Sequence, residues 1–418
     1  MKRNVIHTGD AFDVLPDLDD NSVHAVVTDP PYGLAFMGRD WDDFEPKEYQ
    51  EWSERWAREV KRVLKPGGHL LAFSGNRTHH RLFTGVEDAG FEIRDTLTWH
   101  YGSGFPKASD VSKTIDKRAD AEREVVGKKE YARNPSSFSN NRNSHQVRDG
   151  GFHDDTTEDI REETEPATDA AKKWDGWKTG LKPATEFVVM ARKPYDGATV
   201  DSVLENGTGA LNIDGCRVGD DVDTSRENSG KIGDGTKYSE APNPDMTAGS
   251  ETGGRYPANV VFDETAADAL DREVGKKPSG DDVTSSNGRM FDTGSDTAYQ
   301  DGDGPSRYFY TSKASRSERT NDGAIENDHP TVKPRDLMEW LIKLVTREGQ
   351  IVLDPFAGSG TTCMAAKGLG REFVGIERQD KWADVARVRC GLTPDDPSVV
   401  RGDDDQNGLE AYADGGKP

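Results

Sequence analysis

The sequence predicts an α/β fold: a doubly wound, mostly parallel sheet with a long irregular insert. Toward both ends of the chain, apolar runs of strand length alternate with stretches of helical periodicity, the pattern of a parallel sheet covered by helices. Asp10, Asp29, Asp354 and Glu377 each close or follow an apolar run, and doubly wound sheets bind ligands at the carboxyl ends of their strands. Between these parts, residues 130–170 and 217–305 are rich in Gly, Ser, Asn, Asp and Thr with little apolar periodicity, which places the irregular insert there.

In order, the pattern predicts a strand over 23–28, a helix over about 48–63, a strand over 69–74, a helix over about 78–89 and a strand over 92–99. A strand over 186–191 completes that side. The second half reads as a helix from Arg335 to about Arg347, a strand from Ile351, a helix from Thr361 to about Leu369, and a strand from Glu372 that ends in Glu377. The span 195–325 between the halves carries ordered islands near 200–217, 254–263 and 305–318.

The first strand runs into Asp29-Pro30-Pro31-Tyr32-Gly33. Taken alone, this is an ordinary turn. It also fits methyl transfer to an exocyclic amine, a poor nucleophile because its lone pair is delocalised into the ring. The Asp29 carboxylate and the Pro30 carbonyl can each accept one N–H, drawing the nitrogen toward tetrahedral shape for in-line attack. Pro30 and Pro31 fix the backbone that presents those acceptors, and Tyr32 offers a face on which a base turned out of its stack can lie.

The second half of the pattern is Asp354-Pro355-Phe356-Ala357-Gly358-Ser359-Gly360-Thr361, running from an apolar strand into a helix. Gly358 and Gly360 permit a tight turn and close ligand approach, and the helix N-terminus points its N–H groups at whatever binds. A phosphate-binding P-loop would need Lys where Thr361 stands, and a dinucleotide fingerprint would need Gly where Cys363 stands. Glu377, at the end of the next strand, is placed to hold ribose hydroxyls. Adenosine binding without a phosphate clamp fits S-adenosylmethionine.

On these motifs and their order the chain resembles the amino-directed DNA methyltransferases that make N6-methyladenine or N4-methylcytosine, in the permuted beta-class arrangement. The cofactor half comes last here, while Thr8-Gly9-Asp10 and Asp29 to Tyr32 come first. Joining the ends restores the unpermuted order, so residues 1–35 and 351–392 should build adjacent strands of one Rossmann-like methyltransferase sheet. The resemblance implies a catalytic set of Asp29, Pro30, Pro31 and Tyr32. It implies a cofactor set of Asp10, Thr331, Lys333, Asp354, Phe356, Gly358, Gly360, Thr361 and Glu377, with His329-Pro330-Thr331-Val332-Lys333-Pro334 closing over the methionine part. Further runs at 32–42, 65–73, 102–107, 207–217 and 308–315 resemble a subgroup frequent in phages and prophages.

The domain plan that follows is a catalytic half over 1–194 with a flexible insert at about 108–180, a target recognition region over 195–325, an S-adenosylmethionine-binding half over 326–392, and an acidic disordered tail over 393–418. Double-stranded DNA is the implied partner and adenine N6 the preferred target, because aspartate at the first catalytic position resembles the adenine enzymes. Cytosine N4 is the alternative, followed by RNA or a protein amide, and then by a non-catalytic DNA-binding protein. A homodimer and a cognate restriction enzyme are compatible with the resemblance, and neither is fixed by it.

The formal net charge is −23, which opposes non-specific attraction to a polyanion and suggests a halophilic cell, where acidic surfaces hydrate strongly. Basic clusters remain at Arg58, Lys61, Arg62 and Lys65, at Arg77, His79, His80 and Arg81 in an expected loop at the catalytic edge, and around Trp174 and Trp177. Cys216, Cys363 and Cys390 form no CxxC pair, and there is no signal peptide or long apolar segment, so the chain reads as a reduced cytoplasmic protein away from membranes. No metal is expected. None of the cysteines follows a proline, which removes the thiolate route to cytosine C5.

Overall fold

The computed structural model of the 418-residue chain describes residues 1–34, 42, 44–102, 104, 108–131, 159–219, 254–274, 305–312, 320, 325, 327, 329 and 331–400. Most of the two expected irregular segments, and the tail beyond residue 400, lie outside the described residues.

Regular structure begins with β1 (Val5–Thr8), α1 (Ala11–Val14), β2 (Val23–Thr28), α2 (Pro46–Val63), β3 (Leu64–Ser74), α3 (His79–Asp88) and β4 (Glu92–His100). It continues with α4 (Val111–Arg118), β5 (Val125–Tyr131), β6 (Asp159–Thr164), α5 (Asp169–Lys173), β7 (Thr185–Arg192), α6 (Thr199–Asn206), β8 (Val260–Asp263), α7 (Glu264–Val274) and β9 (Tyr310–Ser312). The last elements are α8 (Arg335–Val345), β10 (Ile351–Asp354), α9 (Thr361–Gly368), β11 (Glu372–Glu377) and α10 (Asp380–Arg389).

Among the described residues nine strands form one sheet in the order β1-β11-β10-β2-β3-β7-β4-β8-β9. All neighbours are parallel except where β7 runs antiparallel between β3 and β4. The chain ends meet as expected, with β10 beside β2 and β11 beside β1. The sheet buries both faces with a period of two. Ala25, Val27, Leu71 and Phe73 face the helices α8, α9 and α10, while Val26, Leu70 and Ala72 face α2 and α3. Helix α2 shows why it lies there: Tyr49, Ser53, Trp56, Ala57, Val60 and Val63 are buried at three- and four-residue spacing.

Three expectations change. The third strand begins at Leu64 rather than 69, because its pairing with β2 starts at Leu64 and resumes at His69 after a register shift, with Gly67 at φ +77° in the intervening Lys65-Pro66-Gly67-Gly68. Strands β8 and β9 from the span 195–325 extend the main sheet beyond β4, so part of that span belongs to the scaffold. Residues 393–400 are not a free tail, since Val399 and Val400 pack on Trp382, Val385 and Val388.

The chain divides into two compact units, Met1–Tyr101 with Thr185–Pro418, and Gly102–Ala184. The second corresponds to the expected flexible insert, yet it contains α4, α5 and the antiparallel pair β5–β6. Its centre is the buried Asp116 carboxylate, which accepts hydrogen bonds from Arg123, the N–H groups of Ala167 and Thr168, and the Thr168 hydroxyl. Apolar periodicity could not announce a unit organised around one satisfied carboxylate.

Candidate active site

Strand β2 ends at Thr28, whose hydroxyl donates to Asp354 Oδ1 at 2.6 Å. This bond ties the ends of the adjacent strands β2 and β10, so Asp29 and Asp354 share one edge of the sheet. Asp354 is 3% exposed and also accepts the Phe356 N–H at 3.1 Å. Burial pushes its carboxyl up to about 6, against the opposing pull of the Thr28 hydroxyl.

The backbone after Asp29 is held at three of its polar groups. Tyr49 of α2 donates its hydroxyl to the Pro31 carbonyl at 2.9 Å, and the Asp42 carboxylate accepts the N–H groups of Gly33 at 2.7 Å and Leu34 at 3.2 Å. No such partner holds the Pro30 carbonyl among the described residues.

Asp29 is the centre of a buried cluster. Its Oδ1 accepts from the Tyr32 hydroxyl at 2.8 Å, and its Oδ2 accepts from Lys333 Nζ at 2.5 Å. Lys333 Nζ also donates to the Tyr32 hydroxyl at 3.2 Å and lies 3.3 Å from Glu186. Burial alone would lower the Lys333 ammonium, but Asp29 and Glu186 outweigh it and hold it above the ordinary lysine value. Burial and the two carboxylates push the Tyr32 phenol well up, so it stays a neutral donor.

Two sequence expectations are sharpened here. Tyr32 is more than a stacking face, because its hydroxyl is bonded into the carboxylate cluster. Lys333, expected to be a cofactor residue, lines the cavity with its ammonium engaged by Asp29. Sequence reasoning missed Glu186. The signal was an acidic residue opening an otherwise apolar strand. Because β7 is antiparallel, its first residues lie at the edge where its parallel neighbours end.

The glycine loop follows β10. Gly358 and Gly360 have φ of +52° and +82°. A Cβ at Gly358 would lie 3.2 Å from the His329 ring, and one at Gly360 would lie 2.7 Å from the Ala386 Cβ. The buried Arg389 holds the loop from α10, donating to the Ser359 carbonyl at 2.7 Å and to the Ser359 and Thr361 hydroxyls at 3.0 Å each. Glu377 accepts the N–H groups of Gly358 at 2.9 Å and Gln379 at 2.8 Å, and burial raises its carboxyl. Gly9 N–H bonds the Glu377 carbonyl at 2.9 Å, bringing Asp10 to the neighbouring strand end, where Asp10 caps α1 through Phe12 N–H.

A cavity joins these parts. Its lining includes Asp29, Thr331, Lys333, Asp354, Phe356, Gly358 and Thr361, with His329 and Met338. Gly360 turns the loop beneath it, while Asp10 and Glu377 stand outside the lining at adjoining strand ends. Among the described residues the only Lys or Arg lining it is Lys333, already paired with Asp29, which suits a nucleoside better than a phosphate chain. Phe356 closes one side, its ring 5.4 Å from Trp52. His79 opens α3 rather than lying in a loop, and its ring stacks 4.2 Å from Phe187. Among the described residues no group of three or more His, Cys, Asp or Glu is placed to hold a metal ion, and no helix is long and apolar enough to cross a membrane.

A family model described as "DNA methylase" (N6_N4_Mtase) matches residues 23–387. The Type II methyltransferase M.HindIII of Haemophilus influenzae is 24% identical over 428 residues, covering 93% of this chain and 95% of that protein. M2.DpnII of Streptococcus pneumoniae is 51% identical over 61 residues, 15% of this chain and 23% of that protein. Among solved structures, the PvuII cytosine-N4-specific DNA methyltransferase matches at 14% identity and a TM-score of 0.44, covering 92% of this chain and 85% of that one. The M1.HpyAVI–SAM complex matches at 16% identity and a TM-score of 0.37, covering 92% and 98%.

Proposed function

The chain belongs to the N6/N4 DNA methylase family, and from that premise we propose that it methylates the N6 amine of adenine in double-stranded DNA, with S-adenosylmethionine as methyl donor. The observation that carries the reading is the Asp29 carboxylate in the lining of a cavity walled by the Gly358 loop, next in sequence to a Pro30 carbonyl that has no hydrogen-bond partner among the described residues.

S-adenosylmethionine supplies an electrophilic methyl group on a sulfonium sulfur. The residues that would hold it are those of the loop and its neighbours: Gly358, Gly360 and Thr361 would leave room for it against the backbone, Phe356, Asp354 and Thr331 line the cavity that would take it, and Glu377 and Asp10, at the adjoining strand ends, would supply acceptors for its ribose and adenine. The catalytic half holds the acceptor. A base turned out of the duplex rests against Tyr32, and its amine donates one N–H to Asp29 and one to the Pro30 carbonyl. Pro30 and Pro31, with the Pro31 carbonyl pinned by Tyr49, keep those acceptors rigid. As the nitrogen bonds the methyl carbon, the carbon–sulfur bond breaks and S-adenosylhomocysteine leaves; the Asp29 carboxylate stabilises the positive charge on nitrogen until one N–H proton passes to water.

Adenine is favoured over cytosine by aspartate in the first motif position. M.HindIII-like modification would pair the enzyme with a restriction partner. The charge of −23 fits a salt-rich cytoplasm, and the phage-type segments fit a mobile element as source. The test is to incubate the protein with unmethylated DNA and labelled S-adenosylmethionine, digest to nucleosides and identify the labelled product by mass. N6-methyladenine is expected. N4-methylcytosine would replace the target, and label confined to RNA would replace the substrate.

A further inference from the structure

Glu186 has no part in the chemistry above, yet its carboxylate is buried at the same edge, 2.9 Å from the Tyr32 hydroxyl and 3.3 Å from Lys333 Nζ. The Lys333 ammonium lies 2.5 Å from Asp29 Oδ2. An alkylammonium and the exocyclic amine of a base are both N–H donors, so they compete for the same carboxylate. An ammonium that is 8% exposed cannot surrender its partner without another one, because an unpaired buried charge is strongly disfavoured.

We propose that Glu186 is a positioning residue that receives the Lys333 ammonium when the target amine takes its place on Asp29, an inference that rests on the methyltransferase reading above. The geometry needs only a small shift, since Nζ already lies between the two carboxylates and both are within hydrogen-bond distance of the same Tyr32 hydroxyl. Burial pushes the Glu186 carboxyl up, and an adjacent cation is what keeps such a group ionised. Charge favours the same arrangement. Asp29 and Lys333 alone are neutral together, whereas with ionised Glu186 the cluster is net negative, which suits a nitrogen becoming cationic.

The test is a double-variant cycle measured by single-turnover methyl transfer to unmethylated DNA, with S-adenosylmethionine affinity and melting temperature recorded for each protein. E186Q should slow transfer by about ten- to a hundredfold while cofactor affinity stays unchanged, since it leaves Lys333 on Asp29. In a K333M background, E186Q should change the rate by less than about twofold, because the ammonium it serves is gone. Equal slowing by E186Q in both backgrounds, or a wild-type rate for E186Q alone, would overturn the proposal. Should E186Q fail to fold, E186L/K333M compared with K333M asks the same question. A wild-type protein that labels no nucleoside would instead defeat the methyltransferase reading itself.

Discussion

Lys333 and Asp29 stand 304 positions apart in sequence, and their side chains meet at 2.5 Å. The pair joins the two ends of the chain, because Asp29 follows β2 while Lys333 precedes α8 and the cofactor strand β10. A reaction centre built across that junction exists only when the N- and C-terminal parts share one sheet.

Tyr32→Phe should reduce the rate of methyl transfer by about tenfold while base stacking survives. The lost hydroxyl donates to Asp29 and lies 2.9 Å from Glu186, so the two carboxylates lose a shared neutral partner. Single-turnover rates and DNA affinity, measured together, check this. An unchanged rate would return Tyr32 to a purely stacking role.

Gly360→Ala should destabilise the protein by roughly 2 kcal/mol or more and weaken S-adenosylmethionine binding. The φ of +82° disfavours a side chain, and the new Cβ would sit 2.7 Å from the Ala386 Cβ on α10. Thermal unfolding and cofactor titration of the variant report the two effects.

Asp354→Asn should change how stability depends on pH. The folded-state carboxyl titrates at about 6, above its ordinary 3.8, chiefly because it is buried. Between those values the folded protein holds a proton that the unfolded chain has released, and the stability this gives is lost as pH rises through about 6. The variant should therefore gain on the wild type from pH 4 to pH 7, by an amount on the order of 2–3 kcal/mol. Melting curves across that range decide it, and parallel curves would contradict the assignment.

Molar potassium chloride should raise the melting temperature of the wild-type protein. A chain of net charge −23 repels itself at low ionic strength, and salt screens that repulsion. A fall in melting temperature with added salt would argue against an acid-adapted surface.

Much of the fold was legible because its signals are local. Strands β2, β4 and β7 and helices α2, α3 and α9 lie within a few residues of their expected bounds, since each buries a regular stripe against one sheet. The Asp29 motif and the Gly358 loop were legible because their residue types have few other uses in that order. Glu186 was not, because its place depends on β7 running antiparallel, and single-sequence periodicity carries no strand direction. Arg389 was hidden for a related reason: as one basic residue in the last turn of α10 it reads as a favourable helix end, and only packing shows its guanidinium bonded to the glycine loop. The second unit, Gly102–Ala184, lacked apolar periodicity because Asp116 and its polar partners organise it.

Asp29→Ala asks whether Asp29 accepts the target amine. Methyl transfer to DNA and S-adenosylmethionine affinity would be measured side by side for this variant and the wild type. Transfer should fall by at least about a hundredfold with cofactor affinity nearly intact, because the residue serves the acceptor nitrogen rather than the donor. Retained transfer, or loss of cofactor binding in step with activity, would contradict it.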